Sequence, residues 1–170
     1  MIRCMVLFFA MVGSVFAANT LVLPNDTNSD FTASIQSSWT LCDEQVWCAN
    51  ELFYYRDSYM AEARVIDQKL TIHLLAEYSS HLLSELQLNL RRDGFSLVDV
   101  IIAGVKFDVA SEVEESSAAE ADRALVLFLN RFSLSTTRTL HWQTKYWDAL
   151  VHSDGELVTI TFTPLSVDER

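Results

Sequence analysis

Cys42 and Cys48, separated by five residues, are the first pair in this 170-residue chain whose types and spacing could do chemistry. The gap is too long for a C-x-x-C redox pair, and no Cys/His cluster lies beside it to complete a metal site. A structural disulfide is the expected chemistry, with the short loop limiting its stabilisation to about 2 kcal/mol. The third cysteine, Cys4, precedes an apolar run and is not positioned as a lipoprotein cysteine.

The histidines are His73, His81, His141 and His152, and none lies two to four residues from another. Local zinc pairs are therefore not expected, and no metal or other cofactor is. Gly94, Gly104 and Gly155 are isolated, which excludes a phosphate-cradling loop and a dinucleotide fingerprint. No G-x-S-x-G elbow and no H-E-x-x-H helix is present. A Ser/His/Asp triad assembled in space remains open to a single sequence. The expectation is a protein that is not an enzyme, with no catalytic residues.

Aromatic residues form two groups. Trp39, Trp47, Phe53, Tyr54, Tyr55 and Tyr59 surround the cysteine loop, and Trp142, Tyr146 and Trp147 precede the last hairpin. Rings with a polar handle suit interfaces and ligand cups, and they also suit ordinary core. Trp39, Trp47, Tyr54, Tyr55, Trp142 and Trp147 are the candidate partner-binding residues.

The elements that position these groups follow from periodicity. Residues 32–41 alternate imperfectly and predict a strand, while 42–56 fit either a helix or a strand. Tyr59, Ala61, Ala63 and Val65, then Leu70, Ile72, Leu74 and Ala76, predict a hairpin through Asp67-Gln68. Residues 79–84 predict a short helical turn. Leu86, Leu88 and Leu90 alternate up to Asp93-Gly94, which predicts a second hairpin returning along 95–102. Gly104 marks a bulge or bend before Val105, Phe107 and Val109. Ser117 and Glu120 form a capping box at the head of a helix over 117–131, with Ala118, Ala121, Leu125, Phe128, Leu129 and Phe132 on one face. Strands over 138–144, 146–152 and 156–163 close the pattern, the last two joined by Ser153-Asp154-Gly155. The expected class is α+β: an antiparallel sheet or open barrel of about seven strands with one packed helix.

The N-terminus frames these elements. Arg3 precedes an apolar run that ends in Val15-Phe16-Ala17, with Val15 and Ala17 small enough for signal-peptide cleavage. The run is shorter than the roughly 20 residues a span requires. Residues 1–17 are thus expected to be a signal, 18–30 a flexible lead-in and 31–170 a single domain. The Asn25-Asp26-Thr27 sequon has little weight without knowledge of the host. The formal charge of −11 repels phosphate backbones and anionic lipid, excluding nucleic acid as an expected partner. No transmembrane segment is expected after signal cleavage, and the expected location is periplasmic or secreted.

The leader ending Val15-Phe16-Ala17-Ala18, the Cys42/Cys48 loop within Trp39-Thr40-Leu41-Cys42, and the chain length resemble the cytolysin secretion protein family. These are small exported accessories of secreted pore-forming cytolysins in Gram-negative bacteria. The resemblance implies a chaperone-like helper in the periplasm whose client is a secreted protein such as a cytolysin, and it carries over no site residues. Strand addition along 95–109 is one way to hold such a client. The alternative is a β-barrel sensor of small amphiphiles, partnered with a membrane regulator.

Overall fold

The computed structural model of the chain describes residues 19–25, 29–66 and 69–165. The leader at 1–17, the Asp67-Gln68 turn and part of the sequon lie outside the described residues.

In chain order the elements are α1 (Ser29–Ser38), β1 (Thr40–Asp43), β2 (Val46–Tyr54), β3 (Asp57–Ile66), β4 (Lys69–Glu77), α2 (Ser80–Arg92), β5 (Ser96–Ile102), β6 (Val105–Asp108), α3 (Val109–Glu115), α4 (Ala118–Leu129), β7 (Arg138–Gln143), β8 (Trp147–Ser153) and β9 (Leu157–Pro164). The strands form one open sheet, ordered β1-β2-β3-β4-β9-β8-β7-β5-β6, with every pairing antiparallel. The class is α+β as expected. The described residues hold nine strands and four helices, against about seven strands and one helix read from the sequence.

Two meanders, β1–β4 and β7–β9, meet at the β4/β9 pairing, and the β5–β6 hairpin extends the far side. One face is greasy because every second residue is: Tyr59, Ala61 and Ala63 on β3, Leu70, Ile72 and Leu74 on β4, and Val158, Ile160 and Phe162 on β9 are all buried. Helix α2 supplies Leu82, Leu83, Leu86 and Leu90 to the same core cluster. Helix α4 adds Leu125 and Phe128, with Phe128 stacked at 5.3 Å on Phe107 of β6.

Two segments depart from the expected strands. Residues 29–38 are helical because Phe31, Ile35 and Trp39 recur every four positions. Ile35 is buried, while Phe31 and Trp39 pack on the core. Residues 80–92 are also helical, so the hairpin through Asp93-Gly94 is corrected. Ser79 caps the helix by accepting from Leu82 N at 3.0 Å. Gly94, at φ +83°, ends it. Phe95 N donates to Leu90 O and Gly94 N to Arg91 O, the bonding pattern of a Schellman stop. The helix over 117–131 is present as α4, with Ser117 Oγ accepting from Glu120 N and donating to the Glu120 carboxylate.

Candidate functional site

The end of the sheet near the C-terminus of α2 opens as a cleft of about 700 Å³. Three pieces of chain build it. Residues 20–25, 92–95 and 144–147 line it, together with Tyr55.

Each piece is held by local chemistry. The N-terminal segment is tied to β2, since Leu21 N donates to Phe53 O at 2.8 Å and Phe53 N to Asn19 O at 2.7 Å. Leu21 is buried, so what reads as a lead-in is part of the fold at this point. Pro24 O accepts from Trp147 Nε1 at 2.8 Å, fixing the indole against the segment, while Phe31 meets that ring edge-on at 5.8 Å. In the third piece, Thr144 Oγ1 accepts from Tyr146 N and Trp147 N, which shapes the turn between β7 and β8.

Asp93, in this lining, has both carboxylate oxygens occupied. Tyr54 Oη donates to Asp93 Oδ2 at 2.6 Å and Tyr55 Oη to Asp93 Oδ1 at 2.5 Å. Burial, and then the bond to Asp93, pushes the Tyr54 hydroxyl far above its ordinary range. The bond to Asp93 is the main cause that pushes Tyr55 up to about 12. Tyr55 holds φ at +58° as the first residue of the two-residue turn between β2 and β3, and Gln45 and Ala103 also hold positive φ in other tight hairpins.

Two cations border the same space. Arg92 lies over the Tyr55 ring at 6.0 Å and donates to Asn89 Oδ1, while Lys145 lies over Tyr146 at 5.1 Å. Among the described residues neither has an ion-pair partner. Apolar walls with a few convergent polar groups, at this volume, are the features of a small-molecule site.

The structure separates the six candidate aromatics. Tyr55 and Trp147 line the cleft. Tyr54 sits beneath it, buried, with its hydroxyl on Asp93. Trp142 is fully buried in the sheet core, so its ring is not offered to a partner. Trp47 is half-buried on β2 near the cysteine loop, and half-buried Trp39 borders a hollow with Thr20, Leu21 and Val22, which also line the cleft. Cys42 and Cys48 form a disulfide with Cα atoms 5.9 Å apart, which joins the edge strand β1 to β2.

Sequence reasoning missed Arg92, Asp93 and Lys145. Arg92 looks like an ordinary helix-end cation, and Asp93-Gly94 like a turn. The cations of Arg91-Arg92 and Lys145, each near aromatics in an acidic chain, were the available signal.

A second polar cluster lies on the opposite face of the sheet. His141 Nε2 contacts Asp148 Oδ1 at 2.5 Å and its Nδ1 contacts Asp99 Oδ2 at 3.5 Å, while Lys106 bridges Asp99 and Asp108 at 3.3 Å each. His73 and His152 each meet a threonine hydroxyl across the strand, Thr161 and Thr139. Among the described residues no histidine hydrogen-bonds both a hydroxyl and a carboxylate, and no three metal-ligating side chains converge. Among the same residues no helix is long and apolar enough to cross a membrane.

Against known proteins, no family model, no curated protein and no solved structure matches the chain.

Proposed function

We propose that the chain is a non-enzymatic binding protein whose working site is the end cleft, and that its ligand is a small amphiphile. The observation that carries this reading is the cleft itself: about 700 Å³, walled by Leu21, Leu23, Phe95 and Trp147, with charged groups at its border. The protein acts outside the cytoplasm, where the Cys42–Cys48 bridge persists, and a membrane regulator is a fitting recipient of its signal.

Titrating tryptophan emission with a fatty acid or bile salt gives a saturable change on this reading. A drift without a plateau refutes it. Trp147 lines the cleft, so the change in emission is expected to be lost in Trp147→Phe.

A secretion accessory that holds an exported cytolysin is the second reading. Its support is the edge of β6, which among the described residues pairs with β5 alone and exposes Val105. The edge is only four residues long and carries Lys106 and Asp108, features that discourage strand addition, so the cleft is favoured. Capture of the purified cytolysin by the wild-type chain but not by Val105→Glu supports this second reading. Equal capture by both counts against the β6 edge.

A further inference from the structure

We infer that the cleft selects an anionic amphiphile, its headgroup held between Arg92 and Lys145 and its apolar portion against Leu21, Leu23, Phe95 and Trp147. This rests on the cleft being the working site and names the charge of what it takes.

Charge complementarity carries the argument. The chain has 12 basic residues against 23 acidic ones, yet two of its cations border one cleft. Neither is neutralised within the described fold. Asp93, the one carboxylate lining the space among the described residues, follows Arg92 in sequence but is engaged elsewhere. Both its oxygens accept tyrosine hydroxyls from the β2 end, Tyr54 and Tyr55. That arrangement satisfies the carboxylate without consuming the guanidinium or the ammonium. Arg92 is also steadied, because Asn89 accepts from one of its nitrogens and the Tyr55 ring lies beneath it. A planar guanidinium with donors still available and an ammonium lining the same cleft suit a carboxylate, sulfate or sulfonate. The apolar lining excludes a small inorganic anion as the best ligand, since such an ion leaves the walls unfilled.

The test is calorimetric titration of the chain, purified as exported, with four amphiphiles that share a decyl-length tail and differ in headgroup. They are decanoate, decyl sulfate, decyl maltoside and decyltrimethylammonium, each kept below its micellar concentration. The expected result is that the two anions bind about tenfold tighter than the maltoside, with the ammonium weakest. Raising the salt narrows that preference. Arg92→Gln and Lys145→Gln each shrink the preference for anions, and Lys145→Glu reverses it. Arg64→Gln, a cation on the opposite face, retains it. Both Arg92 and Lys145 are exposed, so these variants fold. Equal binding of anions and maltoside overturns the charge assignment and leaves the cleft reading standing. Failure of all four to bind overturns both. Binding that emerges only when residues 166–170 are removed assigns the site to the chain's own acidic end and also overturns the proposal.

Discussion

At the level of single residues, Gly155 and Gly94 separate two costs of adding a methyl group. Both hold a positive φ, +93° and +83°. A Cβ on Gly94 would meet nothing within 4 Å, whereas one on Gly155 would run into the Ser135 carbonyl. Gly94→Ala is therefore expected to cost about 1 kcal/mol and Gly155→Ala about 3 kcal/mol or more. Urea melts of the two variants check the order, and equal costs contradict the packing of the 133–136 loop on the last hairpin. The tyrosines of the cleft give a second residue-scale prediction. Tyr55 titrates at about 12 in the fold against an ordinary 10.0. Tyr54 and Tyr59 are raised as well. The folded state thus holds these protons more tightly than the unfolded chain does. Their contribution is full below about pH 10 and is lost as pH rises through the folded values. Stability is expected to fall with rising pH from about 10, and the Tyr54→Phe, Tyr55→Phe double variant to fall less steeply. An equally steep fall in the double variant contradicts the bonds to Asp93.

Among the elements, α2 shows where a short sequence window misleads. Leu86, Leu88 and Leu90 satisfy a strand's alternation, and Gly94 sits where a hairpin needs it. Over the longer window the buried set is Leu82, Leu83, Leu86, Asn89 and Leu90, a helical stripe. A glycine at positive φ ends helices and makes turns alike, so it could not decide between them. The two readings differ in what they ask of Leu88. A strand buries all three leucines on one face, whereas the helix leaves Leu88 45% exposed with Leu86 and Leu90 at 0%. Leu86→Ala is expected to cost about 2–5 kcal/mol and Leu88→Ala about 0.5 kcal/mol or less. Similar large losses at both positions contradict the helix. Where signals agreed, the sequence was a good guide. Helix α4 was legible from its cap at Ser117 and its apolar face, and β7, β8 and β9 from alternation ending in Asp154-Gly155. Asp154 Oδ1 accepts from Glu156 N and Leu157 N, the local reason that this turn forms where it does. Helix α1 was missed because Phe31, Ala33 and Ile35 also alternate, and only the distant ring of Trp147 turns Phe31 into a helical contact. The cleft was illegible for a related reason. Its walls come from residues 20–25, 92–95 and 144–147, which are brought together by sheet order and not by any motif.

For the whole molecule, the open sheet has two edges, β1 and β6. All four residues of β1 are exposed, so burial contributes little to holding it. The Cys42–Cys48 bridge does that instead, and removing it as the Cys42→Ser, Cys48→Ser pair is expected to cost about 2 kcal/mol. Amide exchange should rise first at residues 40–43 and leave β4 and β9 protected; uniform loss of protection across the sheet contradicts a local staple. The cleft lies at the end of β2 where Tyr55 turns, away from that bridge, so ligand binding is expected to survive its removal. The most direct test of the central claim is to follow the backbone amides of the labelled chain while decanoate is added. The account predicts shifts confined to residues 20–25, 54–55, 92–95 and 144–147, saturating together. Shifts centred instead on the opposite face around His141 and Asp99, or no saturable shift at all, would contradict it.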